Sequence, residues 1–179
     1  SSGCIQGPND PILKPAAANK MDYEVEVAIV ISKKGKNISE DKAQDHVFGY
    51  CIVNDVSERS WQKERGGQWI KGKSIAGPCG PYLVTKDEIK DINNLNLSLN
   101  VNGERRQTGN TERMIFNFNF LISHISQFMT LYPGTIITTG TPAGTAMEMD
   151  VPKFLQPGDK LSLKVDQLGE QNHIVEEGD

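Results

Sequence analysis

A chain of 179 residues, 37% hydrophobic and 23% charged, is long enough for one substantial core and has the composition of an ordinary globular protein. Its formal net charge of −4 leaves no basic footprint for nucleic acid. No apolar run reaches the length of a membrane span, and no charged, apolar-cored signal segment opens the chain, so neither nucleic acid nor membrane is an expected partner.

With 17 glycines and 9 prolines the chain must turn often, which points to a mainly β fold with few helices. Cys4, Cys51 and Cys79 are odd in number and lack metal-type spacing, so no disulfide framework is expected and a cytoplasmic location fits. Without repeats, low-complexity tracts or a clear linker, residues 1–179 read as a single domain. The opening Ser1 to Asp10 reads as a loop from a protein interior, and an upstream segment is expected before it.

The first predicted strand runs from Tyr23 to Ile31. Alternation along a strand sends Glu24 and Glu26 to one face and Tyr23, Val25 and Val27 to the other, while Ala28 to Ile31 reads as buried. Adjacent carboxylates beside an apolar run call for positive charge, and a hard divalent cation with oxygen ligands is one candidate. A solvated edge strand with an acidic outer face is the other. A turn at Lys33 to Lys36 follows, then a short helix from Glu40 to Val47 capped by Ser39. Gly49 to Asn54 is a second buried strand that delivers Asp55 at its C-terminal end.

Ser57 to Gly72 is polar and reads as irregular, with Trp69 near its end, and Tyr82 to Thr85 reads as a third strand. Leu95, Leu97, Leu99 and Val101 alternate with polar residues as a half-buried strand, and Asn102-Gly103 signals a hairpin into Glu104 to Gln107. Spacings of three and four among Met114, Phe118, Leu121, Ile122, Ile125, Phe128 and Met129 predict one long helix over 111–130. Tyr132-Pro133-Gly134 stops it. A strand over 135–139 then enters the tight turn Gly140-Thr141-Pro142, and strands at Lys160 to Val165 and Gln171 to Val175 close the sheet.

Asp55 joins Glu24 and Glu26 as a third carboxylate at a strand end, enough oxygen ligands for Mg²⁺ or Mn²⁺ with positions left for water and substrate. No His or Cys occupies a comparable place, which argues against zinc. Arg59, Gln62, Lys71 and Lys73 follow shortly after Asp55 and could hold an anionic substrate against that charge.

Four ordered motifs now resemble one family: Glu24-x-Glu26; Asn54-Asp55-Val56-Ser57-x-Arg59-x-x-Gln62; Gly72-Lys73-Ser74; and Thr139-Gly140-Thr141-Pro142-Ala143-Gly144. With Phe154-Leu155-x-Pro157-Gly158-Asp159 they are similar, over nearly the whole chain, to the C-terminal catalytic domain of the fumarylacetoacetate hydrolase family. The resemblance implies rolled mixed β-sheets, usually in a homodimer. It implies Mg²⁺ or Mn²⁺, sometimes Ca²⁺, on Glu24, Glu26 and Asp55. Arg59 and Gln62 would help hold substrate, Lys73 would lie against metal and reacting oxygen, and Gly140-Thr141 would bind a substrate carboxylate. The implied substrates are 2-oxo acids and β-dicarbonyl compounds, and the implied reactions are C–C hydrolysis, decarboxylation and tautomerisation. All pass through an enolate, whose charge a divalent ion stabilises.

The chain also departs from the pattern. The family's water-activating histidine lies upstream of where this sequence begins, and His46, His124 and His173 match no such motif. His46 is expected to be solvated, His124 to face the polar side of the long helix, and His173 to pack in the last strand. The loop from Lys71 to Pro78 looks shorter than usual, lacking the common Asp-Thr-Phe. Three functions therefore remain open: hydrolysis of an acylpyruvate or 2,4-dioxo acid; isomerisation, decarboxylation or ureidoglycolate-lyase-like chemistry; and non-catalytic binding of a metal and an acid. The wording around Asn54 to Trp69 looks most like the diketo-sugar-acid hydrolase or ureidoglycolate lyase branch.

Overall fold

The computed structural model describes residues 2–67, 72–73 and 75–179, so Trp69 and Lys71 lie outside the described residues. The strand pattern folds into two five-stranded mixed sheets that curl over a shared core, giving a mainly β fold with few helices. In chain order the first sheet draws on β1 (Ile5–Gln6), β4 (Val25–Ile31), β5 (Val47–Asn54), β7 (Gly77–Thr85) and β10 (Ile136–Thr138). Their spatial order is β1-β7-β5-β4-β10. The second sheet is ordered β2-β12-β11-β8-β9, from β2 (Ile12–Lys14), β8 (Asn96–Val101), β9 (Glu104–Asn110), β11 (Lys160–Val165) and β12 (Gly169–Glu177). A small ribbon pairs β3 (Met21–Asp22) with β6 (Ser57–Glu58), placing Asp22 opposite Ser57.

The acidic edge strand is excluded by position. β4 lies between β5 and β10, and all seven of its residues are buried. Its two faces meet different surroundings, as alternation demands. Val25, Val27, Ile29 and Ile31 enter the main core with Leu97, Leu99, Leu161 and Leu163 of the second sheet. Ala28 and Val30 pack with Cys51 and Val53 on the opposite face, which also carries Glu26.

Three local expectations change. The short helix at Glu40–His46 is a 3-10 helix, and Ser39 makes no side-chain bond to its open N–H groups. The segment read as irregular contains helix α1 (Arg59–Gly67). Its first turn is organised by Glu58, whose carboxylate accepts Trp61 N–H at 2.7 Å and Ser60 Oγ–H at 2.5 Å. The long helix is cut back to α2 (Phe118–Phe128), because Asn117 accepts the Phe120 N–H at 2.8 Å and caps it there. Met114 consequently lies ahead of the helix, and Phe128 and Met129 are exposed rather than part of its buried stripe. The expected strand at Tyr82 to Thr85 begins earlier, at Gly77.

Candidate metal and active site

Every carboxylate of interest comes from the chain entering, or leaving, the middle of the first sheet. Glu24 precedes β4 and Asp55 follows β5, and the antiparallel pairing of those strands brings the two ends together. The backbone locks them: Asp55 N–H donates to Glu24 O at 3.0 Å, and Glu24 N–H donates to Asn54 Oδ1 at 3.1 Å. Glu26 extends from the same face two residues later. One carboxylate oxygen each of Glu24, Glu26 and Asp55 lies within 4.8 Å of the others.

Cations stand around this cluster unevenly. The Arg59 guanidinium meets Glu24 Oε1 at 2.7 Å, and Lys73 Nζ donates to the other Glu24 oxygen. Lys73 also reaches Asp55 Oδ2 at 3.1 Å. Glu26 accepts a hydrogen bond from Gly140 N–H at 2.7 Å. Burial, then the charges of Asp55 and Glu24, push the Glu26 carboxyl up to about 8. Burial also raises Asp55, against the opposing pull of Lys73. The Gly140 amide can point this way because the residue adopts φ +94, a conformation that suits glycine.

The structure brings Glu24, Glu26, Asp55 and Lys73 together and puts Arg59 and Gly140 directly on the carboxylates. Arg59 and Gln62 are buried and bonded to each other, Arg59 Nη1 donating to Gln62 Oε1 at 3.2 Å. The Thr141 hydroxyl donates to Val25 O at 3.0 Å and accepts from Gln107 Nε2 at 2.8 Å. Of the histidines, His46 bonds Lys33 O and His173 is buried against Asp10 O and Gln171. His124 is exposed on the outer side of α2, its ring stacked on Phe120 and edge-on to Phe128.

Sequence reasoning missed two residues. Asp22 is fully buried and accepts from Arg59 Nε at 2.9 Å, Ala146 N–H at 2.8 Å and Tyr23 N–H at 2.9 Å. It continues the alternation of Glu24 and Glu26 backwards by two, the signal that could have found it. Gln107 accepts Val25 N–H at 3.1 Å and donates to Thr141 Oγ1 and Pro142 O. Nothing in its local sequence marks it.

Among the described residues, once Glu26 is ionised, four carboxylates (Asp22, Glu24, Glu26, Asp55) face two cations (Arg59, Lys73), a deficit equal to the charge of one divalent ion. The all-oxygen donor set and the raised Glu26 fit a hard cation such as Mg²⁺ or Mn²⁺. One cavity opens on the cluster, and another lies beside the Gly140-Thr141 turn that holds Glu26. The first, about 430 Å³, is lined by Asp55, Lys73, Val53, Cys79 and Thr138. The second, about 480 Å³, is lined by Gly140, Thr141, Val27, Arg113 and Leu121.

The family model for the fumarylacetoacetate (FAA) hydrolase C-terminal domain matches residues 2–176, and the chain belongs to that family. It is 52% identical over 170 residues to a Burkholderia cenocepacia protein named "Putative hydrolase", covering 93% of this chain and 60% of that one. The chain therefore spans less than two thirds of that relative's length. Among solved structures, a fumarylacetoacetate hydrolase of Exiguobacterium antarcticum superposes with a TM-score of 0.94 at 39% identity, covering 99% of this chain and 65% of its own. A 5-carboxymethyl-2-hydroxymuconate delta-isomerase of Mycobacterium smegmatis gives a TM-score of 0.89 at 35% identity, over 99% of this chain and 67% of that one. Hydrolases and isomerases are thus both among the proteins it resembles.

Proposed function

We propose that the chain is the metal-bearing part of an enzyme that hydrolyses a C–C bond in acylpyruvate or 2,4-dioxo acid substrates. The observation that carries this is the convergence of Glu24, Glu26 and Asp55 with Lys73 set against two of them. These three carboxylates would hold Mg²⁺ or Mn²⁺, with Ca²⁺ also suited to oxygen ligands. Such an ion would supply the positive charge that enolate-forming chemistry on a dioxo acid needs. Lys73, on the wall of the cavity that reaches Asp55, would serve as a second cationic centre for the acid. Arg59, buttressed by Asp22 and Gln62, holds the orientation of Glu24 and adds positive charge behind it. The Gly140-Thr141 turn fixes Glu26 and, at the second cavity, offers a place for a substrate carboxylate.

Hydrolysis also needs a base for water. His46, His124 and His173 are all engaged elsewhere, and none of them is assigned as that base. The same observation favours a second reading, isomerisation or decarboxylation of an unsaturated hydroxy dioate or oxaloacetate-type acid, since decarboxylation requires no water-activating base. A homodimer is the assembly we propose, supported by the exposed apolar Ile115, Phe116, Phe128 and Met129 on and before α2.

The decisive experiment offers a panel of 2-oxo and 2,4-dioxo acids, with Mg²⁺ or Mn²⁺, to the longest natural chain containing these residues. Pyruvate release supports hydrolysis. CO₂ release or tautomer absorbance without pyruvate supports the second reading. Tight metal binding by calorimetry with no turnover on any acid leaves a binding protein and removes both.

A further inference from the structure

A cluster of sulfur lies in the wall of the cavity that reaches Asp55 and Lys73, which is lined by both Cys4 and Cys79. Cys79 on β7 stands across from Val53 of β5, and Cys51, two residues back along β5, shares the same face. The Cys51 and Cys79 Sγ atoms are 3.4 Å apart. Cys51 is buried behind its partner, whereas Cys79 is half-buried and meets the cavity. The hydrogen bond shared by the two thiols holds Cys79 below its ordinary pKa and, with burial, pushes Cys51 up. The sulfur that meets the cavity is placed to react first and the buried one behind it to close onto it, the division of labour of an attacking and a resolving thiol.

We propose that Cys79 and Cys51 form a modification site for hydroperoxides, in which Cys79 is oxidised first and Cys51 closes a disulfide onto it. In the first step the Cys79 thiolate attacks one peroxide oxygen. The O–O bond breaks, hydroxide or alkoxide leaves, and Cys79 becomes a sulfenic acid, losing two electrons to the peroxide. In the second step the Cys51 sulfur attacks Cys79 Sγ and the S–S bond forms. The hydroxyl leaves with the Cys51 proton as water. An external dithiol reverses the change by exchange, itself becoming a disulfide. Closing 3.4 Å to a bond of about 2.0 Å asks less movement of sulfur than a rotamer change provides. The proposal depends on neither the metal nor the reaction proposed above.

The test treats the folded protein with hydrogen peroxide, blocks remaining thiols with N-ethylmaleimide, and maps unreduced digests by mass spectrometry. The expected product is a peptide pair joined through Cys51 and Cys79, lighter by two hydrogens and separated by dithiothreitol. Cys51→Ala is expected to halt at a Cys79 sulfenic acid that dimedone traps, and Cys4→Ser to leave the cross-link unchanged. A cross-link through Cys4 overturns the proposal, as does complete maleimide labelling of Cys51 and Cys79 after peroxide treatment and unfolding. The map of the unsubstituted protein decides the matter even if a variant fails to fold.

Discussion

Glu24 is held by two cations, while its neighbour Glu26 is placed deep in the first sheet against a single backbone amide. That asymmetry makes Glu26 the residue whose charge a divalent ion would change most. Its carboxyl is raised to about 8, so between about pH 4.5 and 8 the folded protein keeps a proton that the unfolded chain has released. Stability of the metal-free protein is therefore expected to fall as pH rises through that window. Denaturant midpoints measured from pH 5 to 8.5 should show the decline, and Glu26→Gln should flatten it. The same substitution should weaken Mg²⁺ binding at least about tenfold, roughly 1.4 kcal/mol, by titration calorimetry; unchanged affinity would remove Glu26 from the ligand set. Glu24, Glu26 and Asp55 were legible as oxygen donors because alternation and strand-end position are local properties. The protonation of Glu26 was not, since it depends on how many charges the fold collects around it.

At the level of elements, α1 and the β3–β6 ribbon hold the cations in place. The inward residues of α1 include Arg59, Ser60 and Gln62 rather than an apolar stripe, which is why the sequence read the segment as irregular. α2 was visible from its periodicity but not its start, because the Asn117 cap competes with a pattern that continues back to Met114. Asp22 joins ribbon to helix through Arg59. Asp22→Ala leaves Arg59 short of a buried partner and should cost about 3–5 kcal/mol in chemical unfolding. Metal affinity should fall with it if Arg59 orients Glu24. Gly72 packs so closely on α1 that an added Cβ would lie 2.6 Å from Gln62 Cβ and 2.8 Å from Glu58 O. Gly72→Ala should therefore displace the helix start and cost about 1–3 kcal/mol, with reduced metal binding as the accompanying readout.

Across the molecule, two buried glutamines tie the second sheet to the site-bearing one. Gln107 of β9 binds Val25 N–H and the Thr141 turn, and the two N–H groups of the Gln171 amide on β12 are shared among Ile52 O, Pro78 O and Gly80 O, all within 3.2 Å. Gln171→Leu would strand carbonyls in the core and is expected to destabilise the protein by about 1–3 kcal/mol per acceptor left without a partner. Metal binding should act in the opposite direction, adding about 2.7 kcal/mol at a hundred times the Kd, read as a rise in Tm that a chelator reverses. No such rise with Mg²⁺ or Mn²⁺ would count against a resident ion.

By itself the sequence determined the mainly β class, the core strands of both sheets, the family and the residue types at the cluster. These follow from alternation, turn residues and ordered motifs, all readable within a few neighbours. Only the tertiary structure decided that Glu24 is shared by Arg59 and Lys73, that Asp22 stands behind Arg59, and that Gln107 fixes the Thr141 turn. Each of those contacts joins residues dozens of positions apart, and no local pattern encodes a partner that arrives only when the sheets curl together.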